Sequence, residues 1–277
     1  MVLDTLQKAG GMIRRFPLLG LVGLIAGILG GTTFVIQFYG GMFFTERVGI
    51  LHLIVLPFFI GGAFQIIQKQ DGSPSVFWEG GKKYYLRILL ATVVILFVSL
   101  VTLLALIVPL TVIGIAAETG MISLILLVVL IPLAYFTLFY DVAIVFEDRK
   151  VLDSLRRSVE VVVSRGFPVF KFIIVNLLIF AGIVLVLLII WGAALSSQLE
   201  PLALNTTIDQ PISLEAITGA LGPTGIQITA LLYLIGVTIS VTIFYAYKAC
   251  FFQKYAEKET TTPIVGEYDE KGRWYKY

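Results

Sequence analysis

Six long runs of apolar residues dominate the chain, and each is about as long as a helix that crosses a bilayer. A helix needs about 20 predominantly apolar residues to span the hydrocarbon core. The runs cover 16–38, 48–67, 85–108, 121–145, 167–194 and 226–252. Strands of a membrane barrel would alternate apolar and polar residues at every second position, and these runs do not. The sequence therefore predicts an all-α fold, a polytopic membrane bundle of six transmembrane helices.

The composition excludes a soluble domain. Of the 277 residues, 58% are hydrophobic and 14% are charged, whereas a soluble domain averages about 25% charged residues. We assign residues 1–254 to one six-span membrane domain and residues 255–277 to a cytoplasmic polar and aromatic tail. In the long outer loop 195–225, the segment SLEAITGALGP predicts a short surface helix with Ser213 as its N-cap and a stop at Gly222.

The placement of lysine and arginine sets the predicted orientation. If the six helices alternate in direction, all but one of the 20 Lys and Arg residues fall on the same side of the membrane, and the exception is Arg47. Cytoplasmic loops of membrane proteins carry the excess of Lys and Arg. We therefore expect a multi-pass protein of the cell membrane whose N- and C-termini are both cytoplasmic.

One amphipathic phrase occurs twice. Residues 151–170 are VLDSLRRSVEVVVSRGFPVF, and residues 2–19 are VLDTLQKAGGMIRRFPLL. Both phrases combine apolar residues at helical spacing with charge pairs four apart, and a Phe-Pro pair then starts a span. They predict amphipathic lead-in helices at about 2–14 and 149–164, lying on the cytoplasmic membrane surface. Residues 73–90 hold a further basic lead-in, which indicates three two-helix repeats or, alternatively, convergent interface chemistry.

Three short motifs around the fourth and fifth spans carry a family resemblance. They are Tyr140-Asp141-Val142-Ala143-Ile144-Val145, Glu147-Asp148 and Leu155-Arg156-Arg157-Ser158. In these motifs the chain resembles uncharacterised, archaeal-type six-span membrane proteins related to the membrane domain of glycerophosphodiester phosphodiesterases. The resemblance extends loosely over 16–194 and is best over 139–178. It implies a six-span membrane domain but no activity, because the phosphodiesterase chemistry of the fused proteins belongs to a separate soluble domain.

The sequence carries no catalytic signature. A single histidine excludes a His-based metal cluster, and a single cysteine excludes an intramolecular disulfide. The HExxH, GxSxG and P-loop patterns do not occur in the sequence. We therefore expect a non-enzymatic protein with no cofactor and no nucleic-acid partner.

Polar residues inside apolar spans are the first candidates for function. His52 lies early in the second span, where it is a proton or ligand site or a hydrogen-bonded helix contact. Asn176 in the fifth span is predicted to hydrogen-bond between helices. Asp141 lies near the cytoplasmic end of the fourth span, and we predict an ion pair with Arg156 or Arg157 that fixes the lead-in helix to the bundle. A proton relay is the alternative role for Asp141.

Two further features bear on packing and on partners. Gly23, Gly27 and Gly31 repeat every fourth residue in the first span, which predicts close helix packing. The tail clusters Trp274, Tyr275 and Tyr277, which we interpret as docking on the inner headgroup layer or on a protein partner, with a disordered end as the alternative.

Three functions are compatible with the sequence. The first is a non-enzymatic membrane protein that organises lipids or a membrane complex at the cytoplasmic interface, with anionic headgroups, a membrane protein or a second copy as partners. The second is a small-solute transporter or channel, which would place polar groups at mid-membrane. The third is a lipid-acting membrane enzyme, which would need paired catalytic groups at one face.

Overall fold

The chain folds into a bundle of helices followed by a short hairpin. A computed structural model describes residues 2–39, 42–112, 119–205, 214–256, 266–268 and 274–276. The helices are α1 (Val2–Arg15), α2 (Gly20–Tyr39), α3 (Met42–Lys69), α4 (Pro74–Val112), α5 (Thr119–Phe136), α6 (Tyr140–Phe146), α7 (Val151–Ser164), α8 (Gly166–Ala194), α9 (Ser196–Asn205) and α10 (Leu214–Tyr255). The strands are β1 (Gly266–Tyr268) and β2 (Trp274–Lys276).

Six segments of the described chain are long and apolar enough to cross a membrane. They are Pro17–Tyr39, Arg47–Lys69, Pro74–Val112, Gly120–Phe146, Gly166–Ala194 and Gly219–Tyr255. Each contains most or all of one predicted run. The prediction of an all-α, six-span bundle is confirmed, and the protein is a multi-pass membrane protein.

The basic residues gather at one end of this bundle. There, the Lys8 ammonium donates to the Gln253 side chain at 3.1 Å, so the start of α1 lies beside the end of α10. Arg87 of α4 donates to the Asp148 carboxylate at 2.7 Å, which brings the link before α7 to the same end. We call this the basic end, and the end at which α2 leads into α3, near Arg47, the opposite end.

The hydrophobic core lies towards the basic end. Phe139 stacks on Phe251 with their ring centroids 5.5 Å apart, and Phe172 packs on Phe251 at 4.8 Å. These rings are fully buried. Aromatic pairs of this kind add about 0.5–1.5 kcal/mol beyond the area that they bury. The core therefore joins the link before α6 to α8 and α10.

The two lead-in helices are packed onto the bundle. α1 packs on α10 and buries Thr5, Ala9 and Met12. α7 buries a face of small and polar residues together with two valines. That face consists of Ser154, Arg157, Ser158, Val161 and Val162. Leu152, Val159 and Val163 of α7 are exposed on the other side, so α7 has one face for the bundle and an apolar face pointing away from it.

The third lead-in does not form a separate helix, so the predicted repeat holds for the first and fifth spans alone. α4 continues unbroken from Pro74 to Val112. Its glycine pair is a packing surface rather than a break. A Cβ atom on Gly80 would meet the Gln65 side chain and the Gly61 carbonyl oxygen, and one on Gly81 would meet the Phe58 ring. These glycines therefore let α4 lie close against α3.

The glycine repeat of the first span forms a tight seam between α2 and α10. A Cβ atom on Gly27 would lie 2.6 Å from the Leu234 carbonyl oxygen, and one on Gly31 would lie 3.3 Å from the Ala230 carbonyl oxygen. Glycine is required at these positions because the facing backbone leaves no space for a side chain. The prediction of close packing is confirmed.

The loop and the tail complete the chain. The predicted surface helix begins at Leu214 and joins the last span across a kink at Gly222, whose φ is 58°; Ser213 lies outside the described residues. The strands β1 and β2 pair in antiparallel fashion, with Glu267 opposite Tyr275. The tail thus contains a short antiparallel strand pair, which the sequence did not predict.

Candidate functional site

A break in the fourth span lies within a buried polar region of the bundle. α5 ends at Phe136, and α6 begins at Tyr140. Ser158 of α7 fills the gap, because its hydroxyl donates to the Phe136 carbonyl oxygen at 2.8 Å and accepts from the Phe139 N–H at 2.9 Å. Backbone groups at membrane depth must be satisfied inside the protein. The fully buried Ser158 side chain therefore makes this break possible.

A buried ion pair lies directly after the break. The Lys248 ammonium of α10 is 2.6 Å from Asp141 Oδ1 and 2.7 Å from Asp141 Oδ2. The two side chains are 5% and 2% exposed. Charges are rare inside spans, where they pair with one another and mark functional sites. This pair links α6 to α10.

Aromatic rings surround the ammonium of this pair. The Nζ atom of Lys248 is 5.4 Å from the ring centroids of both Phe244 and Tyr245, and 6.0 Å from that of Tyr140. A cation over aromatic faces is attracted by their quadrupoles, and the attraction strengthens when the cation is desolvated. Three aromatic rings therefore line the Lys248 side of the buried pair.

The predicted partners of Asp141 were wrong. Arg156 pairs with Glu160 one turn later, at 3.1 Å, and its side chain is 83% exposed. Arg157 is 7% exposed and pairs with Glu147 at 3.0 Å. Glu147 follows the end of α6 and faces α7, whereas Asp141 in its first turn points towards α10. Arg157 therefore meets Glu147 and Arg156 meets Glu160, while Asp141 pairs with Lys248.

Arg157 joins α7 to the residue that follows α6 and to the residue that follows α10. Its Nε donates to the Glu147 carboxylate at 3.0 and 3.2 Å. Its Nη2 donates to the Ala256 carbonyl oxygen just after α10, at 3.0 Å. Thus α7 is fixed to the bundle by the Arg157–Glu147 ion pair and not by the predicted pair with Asp141.

A cleft of about 530 Å³ opens beside the ion pair. His52, Thr92, Tyr140 and Tyr245 line it together with apolar side chains of α3 and α4. The Thr92 and Tyr140 hydroxyls lie 2.7 Å apart. His52 faces this cleft, and its Nδ1 is 3.2 Å from the Val48 carbonyl oxygen of its own helix. The two tyrosines contribute to both the cleft and the aromatic surroundings of the ammonium, so the cleft is lined both by His52 and by rings that contact the buried pair.

Asn176 lies elsewhere, in a separate apolar groove. Its Nδ2 donates to the Phe172 carbonyl oxygen of α8 at 2.8 Å, so the predicted bond between helices is wrong for this donor. The groove has a volume of about 560 Å³ and lies between α5, α8 and α10. The Asn176 amide bonds the backbone of its own helix because this groove separates α8 from its neighbours around Asn176.

Two of the three tail aromatic residues lie on a strand. Trp274 and Tyr275 belong to β2, and Tyr277 lies outside the described residues. Docking of these aromatic residues on lipid or on a partner stays a prediction.

The basic end holds more cations than its carboxylates neutralise. Most of the acidic residues at this end form ion pairs within the chain. These are Asp4–Lys254, Glu79–Lys69, Asp141–Lys248, Glu147–Arg157, Glu147–Arg149, Asp148–Arg87, Asp148–Lys83, Glu160–Arg156 and Glu160–Arg157. Apart from Lys8, which donates to the Gln253 amide, five cations of this end have no carboxylate at ion-pair distance in the described parts of the chain. We call these the unpaired cations: Arg14, Arg15, Lys82, Lys150 and Lys171.

The acidic residues around the fourth span do not gather into a metal site. Among the described residues, no three His, Cys, Asp or Glu side chains lie close enough to hold a metal ion. The acids at the end of α6 contact arginine and lysine side chains instead of one another.

Comparisons with known proteins give one match. No curated protein and no solved structure matched the chain. Residues 1–255 match a family described as a domain of unknown function, DUF7847. The resemblance to the phosphodiesterase membrane domain stays a prediction. Because the match covers all six spans and both lead-in helices, the chain belongs to the DUF7847 family.

Proposed function

We propose that this chain is a non-enzymatic protein of the cell membrane that organises anionic lipids at its basic end, with that end and both termini in the cytoplasm. The unpaired cations carry this proposal. The internal pairs use most of the carboxylates at this end, and the unpaired cations are left without one in the described parts of the chain. An anionic headgroup layer supplies the missing negative charge.

The position of these cations supports lipid as the partner. Arg14 and Arg15 end α1 just before the first span begins at Pro17. The Arg15 guanidinium lies 5.1 Å from the Phe16 ring centroid. Each Lys or Arg near an anionic membrane surface contributes about 1 kcal/mol of attraction. The exposed face of α7, with Leu152, Val159 and Val163, would then lie against the same layer.

Lipid retention by the purified protein tests this proposal. The variant R14Q/R15Q/K150Q removes three unpaired cations, and R156Q/E160Q, which removes an arginine and its acid partner from the same end without changing the net charge, is the control. We expect native mass spectrometry in mild detergent to show preferential retention of phosphatidylglycerol over phosphatidylcholine. That preference should fall in the first variant and persist in the control. Equal retention of both lipids by the wild type would contradict the proposal.

The cleft favours a second candidate function, a small-solute transporter. Its polar groups, His52, Thr92 and Tyr140, lie inside the spans and beside an ion pair, as a solute pathway would require. A cysteine placed at Leu96 in a Cys250→Ala background tests this alternative. If the cleft holds water, a membrane-impermeant maleimide will label it, whereas Leu104→Cys on the exposed surface of α4 will stay unlabelled in the bilayer. Absence of labelling at both positions would contradict a water-filled pathway.

A further inference from the structure

A groove between α1 and α8 combines apolar walls with one of the unpaired cations. Its volume is about 550 Å³. The residues that line it are Leu3, Asp4, Phe167, Phe170, Lys171, Ile174 and Val175. Leu3, Phe167 and Phe170 expose more than half of their surface, so the groove is open to whatever surrounds the bundle.

The charges in this groove favour an anion. The Lys171 ammonium lies 4.3 Å from the Phe167 ring centroid and has no carboxylate at ion-pair distance in the described parts of the chain. Asp4 is the acid among the lining residues, and Lys254 contacts its carboxylate at 3.2 Å. A ligand phosphate would therefore meet an available cation at Lys171, while the charge of Asp4 is offset by Lys254.

The order of these residues along α8 matches the order of groups in a lipid. Phe167 and Lys171 lie at the basic end of α8, and Ile174 and Val175 follow towards the interior of the span. At a rise of 1.5 Å per residue, the step from Phe167 to Val175 covers about 12 Å. A headgroup beside Lys171 would thus place an acyl chain along the apolar wall formed by Phe170, Ile174 and Val175.

We infer that this groove binds one anionic glycerophospholipid, with its phosphate on Lys171 and one acyl chain along α8. The inference rests on the proposed function and specifies a site for it. A zwitterionic headgroup would add a second cation beside Lys171 and Lys254, and the nearby Asp4 carboxylate already has a lysine partner. An anionic lipid is therefore preferred over a zwitterionic one.

Titration of the full-length protein with defined lipids tests the site. Native mass spectrometry in mild detergent compares phosphatidylglycerol with phosphatidylcholine for the wild type, K171Q and the matched control K82Q. Lys82 is also exposed and unpaired but does not line the groove. We expect K171Q to weaken phosphatidylglycerol binding about fivefold, as for the loss of one interfacial charge. We expect a smaller loss in K82Q.

A second variant and a second probe separate the remaining explanations. The variant I174W places a larger side chain in the groove at its apolar wall. It should weaken binding of the lipid without changing a charge. Glycerol phosphate, which lacks acyl chains, should not compete with the lipid at Lys171. Equal losses in K171Q and K82Q, or full competition by glycerol phosphate, would overturn this site and leave the proposed function standing. A wild type without preference for phosphatidylglycerol would overturn the proposed function itself.

Discussion

The two ends of the bundle are built in different ways. At the basic end, side chains of α1, α4, α6, α7 and α10 are joined by ion pairs and by a core of aromatic rings. Towards the opposite end, α4, α5 and α8 expose large apolar side chains along their length. Examples from the described residues are Phe97, Leu104, Leu127, Leu188 and Ile189. There the main tight contact is the glycine seam between α2 and α10.

This difference separates two sources of stability. In a bilayer, apolar side chains that face lipid gain little from packing on one another, since acyl chains are equally apolar. Helices are held together by close backbone approach and by polar groups that have no other partner. The basic end uses buried charges and hydroxyls for this purpose, whereas the seam uses glycine. In this half, α8 is joined to α10 by the bond from the Trp191 ring N–H to the Thr229 hydroxyl, and grooves open elsewhere beside α5 and α8.

The buried pair is the strongest test of the basic end. Asp141→Asn keeps the shape of the side chain but leaves the Lys248 ammonium buried without its counter-ion, which costs about 3–5 kcal/mol. We expect a corresponding loss in the free energy of unfolding, measured by SDS titration in mixed micelles. The double variant D141N/K248M should recover part of the loss because it removes both charges. Asp153→Asn, an exposed acid on α7, is the control, and an equal effect of the two single variants would contradict a structural pair.

The seam is the strongest test of the opposite half. Gly27→Ala would place a methyl group 2.6 Å from the Leu234 carbonyl oxygen, so α2 and α10 must separate. Overpacking of this kind costs about 1–3 kcal/mol. Gly182→Ala in α8 is the matched control, because a Cβ atom there meets no atom within 4 Å. We expect the melting temperature in detergent to fall for Gly27→Ala only, and a fall of equal size in both would show that the seam is not tight.

The break before α6 should respond to a single hydroxyl. Ser158→Ala leaves the Phe136 carbonyl and the Phe139 N–H without their partner, which costs about 2 kcal/mol. We expect faster deuterium exchange at residues 137–140 and a lower melting temperature. Ser164→Ala, on the exposed side of the same helix, should change neither quantity. Unchanged exchange in Ser158→Ala would mean that water or another group supports the break.

The spans were predictable because their signal is local. A run of apolar residues of sufficient length specifies a membrane helix whatever its neighbours are, and the predicted runs lie within the observed segments, apart from one residue at the start of the first. The glycine seam was predictable for the same reason, since its spacing lies on one helix. The partner of that seam was not, because nothing in the spacing of Gly23 and Gly27 points to α10.

The pairing of the charges was not predictable from pattern alone. Asp141 and Lys248 are 107 residues apart, and Lys248 was counted with the basic residues that set orientation. Lys248 could have been recognised as a buried, paired charge from its position inside the predicted span 226–252, because lysine is rare inside spans. Periodicity assigned Arg157 to the polar face of α7, yet its side chain is buried, where it donates to Glu147 and to the Ala256 carbonyl oxygen.

The smallest change in stability is expected for Arg156, and the comparison with the adjacent Arg157 gives the clearest contrast. Arg156 is exposed and pairs with Glu160 within its own helix, and such pairs contribute less than about 0.5 kcal/mol. Arg156→Gln should therefore leave the melting temperature almost unchanged, with any small difference removed by 1 M salt. Arg157→Gln should lower it clearly at both salt concentrations, since its guanidinium joins Glu147 to the end of α10 in a buried position. Equal effects of the two substitutions would mean that α7 is held by its hydrophobic and hydroxyl contacts and not by Arg157.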